Sequence, residues 1–300
     1  MTTGPTAADP GKKYHVGDAF DLIQTLEDES LDLVITSPPY WGLRTYGQAH
    51  NWNILKEWEA TDDRWTAPPF KWYRDHGGSL GLEPIPDWFI AHLCEFFDLV
   101  APKLKQTGNV WVNLGDTYFA RWSSIRDDGR QGLSGKRRVR RTTPMGGYLQ
   151  EKQLLMIPAR FAIAMQDRRW ILRNDLIWHK PNVPPRPERD RLRASHEHFF
   201  HFVKRRTDGR PKYFYDLERA EPRALDVVKV NAQRGVNGHS ATFSTDVVRA
   251  RIESSAPLGG TVLDPFCGTG SAVELASELG RNAIGFEANR EYLHGKIGEI

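Results

Sequence analysis

The sequence predicts an α/β fold, and three stretches predict it. Leu31-Asp32-Leu33-Val34-Ile35 is a compact apolar run without helical spacing and reads as a buried strand. Thr261-Val262-Leu263 is a second buried strand. It runs into a Gly-rich turn, a helix over Ser271–Leu279 stopped by Gly280, and a strand over Asn282–Phe286 with Glu287 at its end. That makes a βαβ unit with an acid roughly 20 residues beyond its turn, as in nucleotide-binding α/β folds. Over Pro86–Leu104, Trp88, Phe89, Leu93, Phe96, Phe97 and Val100 recur at helical spacing and mark a core-facing helix.

Three hundred residues suffice for one large α/β domain or two small ones. Hydrophobic content of 39% and charged content of 26% are those of an ordinary globular chain. With a net charge of only +3, a polyanionic partner must be argued from where the charge lies. The ten Trp all fall between Trp41 and Trp178, so the aromatic surface belongs to the first part of the chain. The two cysteines, Cys94 and Cys267, lack metal-ligand spacing and fit a reducing compartment. Neither a signal peptide nor an apolar run of membrane-spanning length is present, which leads to the expectation of a cytoplasmic protein with no membrane partner.

Taken in order, residues 1–10 read as a loose tail. Asp18, after Val16-Gly17, either accepts hydrogen bonds from a ligand amine or caps the short helix that follows. The Leu31–Ile35 strand ends in Thr36-Ser37-Pro38-Pro39-Tyr40-Trp41. The two prolines lack N–H groups and hold the backbone extended, so the Ser37 and Pro38 carbonyls can accept bonds from outside the sheet. A hydroxyl, rigid carbonyls and aromatic faces at a strand end suit a flat, amino-bearing ring such as a nucleobase; a Pro-rich turn with two packing aromatics is the alternative. Residues 42–80 look like a long excursion from the sheet. Cys94 lies within the Pro86–Leu104 helix and reads as packing, and Gly108–Asp116 as a strand.

Residues 119–147 set Arg121, Arg126, Arg130, Lys136, Arg137, Arg138, Arg140 and Arg141 against only Asp127 and Asp128, without apolar period. They read as a mobile basic loop suited to phosphate contact. Gln153–Gln166 is helical, with Pro158 near its start; Trp170–Lys180 and His196–Lys204 are strands joined by a Pro- and Arg-rich link. Along the second of these strands His196 and His198 share one face and His201 takes the other, so no metal site is expected. Residues 205–240 are again basic and irregular.

In the C-terminal turn, Asp264-Pro265-Phe266-Cys267-Gly268-Thr269-Gly270, the glycines let backbone approach a ligand closely, and Glu287 can take two ribose hydroxyls. The third glycine of a dinucleotide turn is missing and no Arg/Lys set marks a pyrophosphate, so a nucleoside with a small charged tail fits better than NAD. Cys267 reads as a small apolar filler.

Those residues resemble the S-adenosylmethionine motif of amino-group DNA methyltransferases, and Thr36-Ser37-Pro38-Pro39-Tyr40 resembles their catalytic (Asp/Asn/Ser)-Pro-Pro-(Tyr/Phe) motif. The catalytic motif comes first, as in the permuted β-group order, and further matches extend over most of residues 14–298: Val16-Gly17-Asp18, Asp175–Lys180, Ser195–His198 and Ala241-Thr242-Phe243. The resemblance implies a mostly parallel, seven-stranded-type Rossmann-like sheet in permuted order. It also implies a single catalytic domain over 1–300, with 42–80, 119–147 and 205–240 as candidate DNA-recognition insertions. It implies that Asp264, Phe266, Gly268 and Gly270 belong to the cofactor turn, that Glu287 holds the ribose and Asp18 the adenine amine, and that Thr242 and Phe243 sit at the methionine end. The usual Thr-Phe-Pro reads Thr242-Phe243-Ser244 here.

Ser37, Pro38, Pro39 and Tyr40 would form the catalytic turn. Trp41, Arg137, Arg138, Arg140, Arg141, Arg186, Arg189 and Arg191 would meet double-stranded DNA. Ser at the first motif position points to cytosine N4, with adenine N6 the alternative. An inactive DNA-binding protein keeping the fold and a dinucleotide-dependent oxidoreductase are the remaining readings. A cognate restriction endonuclease is a candidate partner, and nothing in the sequence sets an oligomeric state.

Overall fold

The computed structural model describes residues 11–42, 50–58, 65–120, 122–125, 131–132, 137–140, 147–183, 185, 188–219, 225–232 and 244–296; for 122–125, 131–132 and 137–140 the description is of the backbone. In chain order the elements are β1 (Lys12–Val16), α1 (Ala19–Leu22), β2 (Leu31–Thr36), α2 (Ile54–Glu57), α3 (Phe70–Asp75), α4 (Pro86–Lys103) and β3 (Leu104–Leu114). There follow β4 (Trp122–Ile125), β5 (Gln131–Gly132), β6 (Arg137–Arg140), α5 (Ile157–Asp167), β7 (Ile171–His179), β8 (His196–Val203) and β9 (Val227–Lys229). The chain closes with α6 (Thr245–Ser255), β10 (Thr261–Asp264), α7 (Ser271–Glu278) and β11 (Asn282–Glu287). Two compact units result: Met1–Pro38, Leu99–Asn113 and Arg169–Ile300 form the first, Pro39–Asp98 and Leu114–Arg168 the second.

The first unit is built on an eight-stranded sheet of order β1-β11-β10-β2-β3-β8-β7-β9. The pairs β1–β11, β11–β10, β10–β2 and β2–β3 are all parallel. Every residue of β2 is buried, as its largely apolar sequence requires of a central parallel strand. Its one acid, Asp32, accepts from the Thr261 N–H at 2.8 Å and from Lys105 Nζ at 2.8 Å, and so fixes the start of β10 beside β2. From β10 the chain crosses through α7 to β11 on one side, while β2 leads through α4 to β3 on the other. The adjoining C-terminal ends of β10 and β2 are therefore the sheet's switch point, where open α/β sheets bind ligands. Under the sheet, Leu33, Ile35, Trp111, Phe199, Val248, Ile252 and Val273 pack into one core.

The expected Rossmann-like sheet is present with eight strands rather than seven. Residues 205–240, expected to be irregular, contribute β9, which pairs in parallel with β7 at the edge. The stretch 119–147, expected as a loop, carries a separate three-stranded antiparallel sheet of order β5-β4-β6. Its longer strands, Trp122-Ser123-Ser124-Ile125 and Arg137-Arg138-Val139-Arg140, have no hydrophobic alternation to announce them. Pro158 lies in the first turn of α5, where a missing N–H costs nothing, so that helix begins at Ile157.

In the second unit α4 buries Trp88, Phe89, Phe96 and Phe97, and Phe97 meets Phe161 of α5 with ring centroids 5.8 Å apart. Cys94 is fully buried among them, and burial pushes its thiol up to about 12, which keeps it an inert packing group. Among the described residues no helix is long and apolar enough to cross a membrane. No group of three His, Cys, Asp or Glu residues among them could hold a metal ion.

Candidate active site

Four strand ends of the first unit carry the residues singled out in the sequence. Ser37 and Pro38 follow β2; Asp264, Phe266, Gly268 and Gly270 end β10 and begin the turn; Glu287 ends β11; Asp18 follows β1. A side-chain bond ties the two motif strands together: Thr36 Oγ1 donates to Asp264 Oδ1 at 2.7 Å. The same carboxylate oxygen accepts from the Phe266 N–H at 3.2 Å, which starts the turn. Asp264 is 4% exposed, and burial lifts its carboxyl to about 7 against the pull of those two donors. These bonds join the two strands beneath the turn.

The turn is held from β11. Glu287 Oε2 accepts from the Gly268 N–H and Oε1 from the Asn289 N–H, each at 2.9 Å. Burial raises the Glu287 carboxyl, while the backbone donors oppose the rise. Each carboxylate oxygen accepts more than one bond, so Glu287 keeps acceptor capacity for a diol. The Gly17 N–H donates to the Glu287 carbonyl at 2.9 Å, which brings Asp18 alongside. Asp18 is the N-cap of α1, with Oδ1 accepting from the Phe20 N–H at 2.8 Å.

The glycines have distinct reasons. Gly270 has φ +80° and a Cβ there would lie 2.8 Å from the Tyr14 ring, so only glycine fits. Tyr14 donates to Glu274 Oε1 at 2.6 Å. Burial would raise Glu274, but bonds from Lys12, Tyr14 and Lys296 outweigh it and hold the carboxyl at about 2. Gly268 has φ +54°, and among the described residues a Cβ there would meet no heavy atom within 4 Å, so the turn presents bare backbone to that side. A bare turn with a diol acceptor opposite fits a nucleoside cofactor. Cys267 is 7% exposed, and Sγ would lie 2.9 Å from a Cβ added at Gly285. Burial pushes its thiol up, as expected of a filler between turn and strand.

Residues 31–297 match the N6/N4 methyltransferase family model, described as DNA methylase. The chain belongs to this family. It is 34% identical over 290 residues to the type II methyltransferase M.SmaI of Serratia marcescens, across 93% of this chain and 87% of that protein. Identity to M.XycI of Xanthomonas campestris pv. cyanopsidis is 33% over 291 residues, across 94% and 85%. Among solved structures it is similar to the PvuII DNA methyltransferase, titled cytosine-N4-specific, with a TM-score of 0.65 and 17% identity over 95% of this chain and 85% of that one. A DNA modification methylase of Thermus thermophilus, TTHA0409, complexed with S-adenosyl-L-methionine, gives a TM-score of 0.55 and 18% identity over 94% and 92%. At such identities the two structures speak for the fold.

In this DNA methylase the second half of the catalytic turn belongs to the second unit, where Pro39 and Tyr40 are half-buried. Trp41, expected to face DNA, is instead 2% exposed, and its indole N–H donates to the Glu83 carbonyl at 2.9 Å. A ring so enclosed offers no face to a base; Trp41 is a packing anchor. Sequence reading missed Glu83 and His92, both buried polar residues beneath this part of the turn.

Of the expected DNA contacts, Arg137, Arg138 and Arg140 lie in β6. Arg189 is exposed, and Arg191 pairs with Glu188 at 2.6 Å. Thr242, Phe243, Arg141 and Arg186 fall outside the described residues. His201, buried on β8, stacks on Trp111 at 4.4 Å and donates through Nε2 to Asn109 Oδ1 at 2.8 Å. Burial lowers it to about 3, making it a neutral core residue.

Proposed function

We propose that this DNA methylase transfers a methyl group from S-adenosylmethionine to the exocyclic N4 of cytosine in double-stranded DNA. The observation that carries the reading is Ser37 at the head of the Ser37-Pro38-Pro39-Tyr40 turn, one residue beyond the Thr36–Asp264 bond of 2.7 Å that links the catalytic strand to the cofactor strand. The cytosine-N4 title of the PvuII enzyme is in keeping with the serine.

The cofactor supplies an electrophilic sulfonium methyl group. In this reading Gly268 and Gly270, with Phe266, carry its methionine part, Thr242 and Phe243 flank that end, Glu287 takes the ribose hydroxyls and Asp18 the adenine amine. The lone pair of an exocyclic amine is delocalised into the base and is a poor nucleophile. Ser37 Oγ and the Pro38 carbonyl accept the two amine hydrogens, which favours a tetrahedral nitrogen whose lone pair is available, and positioning supplies most of the rate. As the methyl–nitrogen bond forms, the methyl–sulfur bond would break and release the neutral thioether, and the cationic nitrogen would then lose its proton to water, because Ser37 is no base at neutral pH. The base reaches the turn only outside the duplex stack, where Tyr40 stacks on it. Arg137, Arg138, Arg140 and Arg141, with Arg186, Arg189 and Arg191, serve phosphate contact. The type II names of the relatives support a cognate restriction endonuclease as the biological partner.

DNA from cells expressing the protein, digested to nucleosides and separated by mass, is expected to contain N4-methylcytosine. N6-methyladenine in its place would reassign the target base, and neither modification would remove the activity. Sequencing the same DNA for modification context identifies the recognised site.

A further inference from the structure

We infer that Glu83, locked in place by His92, is the positioning residue that sets the Pro39–Trp41 half of the catalytic turn. The inference rests on the methyl-transfer reading above. Glu83 is 1% exposed and His92 is fully buried, yet neither has a part in the chemistry derived so far. Burying a carboxyl and an imidazole is unfavourable unless their bonds are met, and here each bond leads towards the turn or secures the pair. Glu83 Oε2 accepts from the Gly81 N–H at 2.8 Å, and the Glu83 carbonyl accepts from Trp41 Nε1 at 2.9 Å. Gly81 in turn accepts from the Gly42 N–H at 2.7 Å. Its backbone is pressed against the turn: a Cβ at Gly81 would lie 3.1 Å from Pro39 Cβ and 3.3 Å from the Tyr40 carbonyl oxygen, and its φ is +88°. Residues 81–83 therefore grip residues 39–42 at three points.

The far end of the clamp is fixed to α4. His92 Nδ1 lies 3.1 Å from Glu83 Oε1 and Nε2 lies 2.9 Å from the Pro68 carbonyl oxygen. A carbonyl only accepts, so Nε2 carries hydrogen; the Nδ1–Oε1 contact then needs a second proton shared between ring and carboxyl. This dictates the informative substitutions. Glu83→Gln can meet every bond with neutral His92, its amide donating to Nδ1 and its oxygen accepting from Gly81. Glu83→Ala leaves the Gly81 N–H and His92 without their partner and releases the turn.

The test uses the full chain, tritiated S-adenosylmethionine and plasmid DNA from a host lacking the modification. Glu83→Ala is expected to slow single-turnover transfer by about tenfold or more, with cofactor affinity and circular dichroism unchanged. Glu83→Gln should recover the rate to within about threefold of wild type. A wild-type rate in Glu83→Ala, equal impairment of the two variants, or a loss of rate that follows a loss of cofactor affinity would each overturn the inference. Should Glu83→Ala not fold, Gly81→Ala displaces the turn from the same side: slowed transfer with cofactor binding intact supports the clamp, and an unaltered rate overturns it. Wild-type protein that labels no DNA removes the methyl-transfer reading itself, and the clamp with it; active wild type with normal variants removes the clamp alone.

Discussion

In the proposed reading Ser37 carries the chemistry because of what it lacks. A carboxylate at that position would be both acceptor and base, whereas a hydroxyl only orients the amine, so catalysis at Ser37 must come from geometry and hydrogen bonding. Ser37→Ala is therefore expected to cut the transfer rate by about a hundredfold, while the dissociation constant for S-adenosylmethionine stays the same, since no residue of the cofactor turn is touched. Equilibrium cofactor binding measured beside single-turnover methylation separates the two effects. Undiminished methylation in this variant would take Ser37 out of the site. Tyr40 differs in kind: in the proposed reading its ring acts on the base through stacking, and its carbonyl oxygen lies close to Gly81, 3.3 Å from where a Cβ there would sit.

At the level of elements, the Thr36–Asp264 bond joins β2 to β10, and the burial of Asp264 at that junction gives the site a dependence on pH that its chemistry does not require. Asp264, lifted by burial to about 7 from its ordinary 3.8, holds its proton more tightly in the folded chain than in the unfolded one. Its stabilising contribution is complete below about pH 3.8 and is lost as the pH rises through about 7. Asp264→Asn still accepts from Thr36 and Phe266 but cannot ionise. Between about pH 5 and about pH 8 its stability should gain on that of wild type, by on the order of a few kcal/mol. Denaturant unfolding at both pH values checks this, and parallel pH slopes would exclude it.

These same strands are the legible part of the sequence, because β2 and most of β10 are buried and so carry compact apolar runs, Leu33-Val34-Ile35 and Val262-Leu263. Helix α6 carries no such signal: its buried face mixes Val247, Val248 and Ile252 with Ala250, Arg251, Ser254 and Ser255. β9 has three residues and exposed ends, too short to show alternation. The partners of Glu83 and His92 lie as far apart in sequence as Trp41 and Pro68, so no local pattern could pair them. Trp41 misleads for the same reason, since an aromatic after a Pro-Pro turn looks alike in sequence whether it faces a base or a carbonyl.

For the whole molecule the question is how a chain of 41 basic and 38 acidic side chains, with a net charge of only +3, engages a polyanion. The excess is local. Between Arg121 and Arg141 only Asp127 and Asp128 offset the basic residues, and β6 places three arginines within four positions. Each phosphate neutralised releases condensed counterions, so affinity should fall with salt at a slope of about 0.9 per contact. Replacing Arg137, Arg138 and Arg140 together by Ala is expected to weaken DNA binding on all sequences alike and to flatten the slope by up to about three. The modified site should stay the same, because phosphate contacts position the duplex and base-edge contacts specify it. Salt titrations of fluorescent-duplex binding, read beside the methylation context, decide the matter. An unchanged slope would shift the phosphate contacts away from β6, towards the arginines of the β7–β8 link. An altered recognition site would instead make β6 a reader of bases, since a change in sequence preference cannot arise from contacts that carry no sequence information.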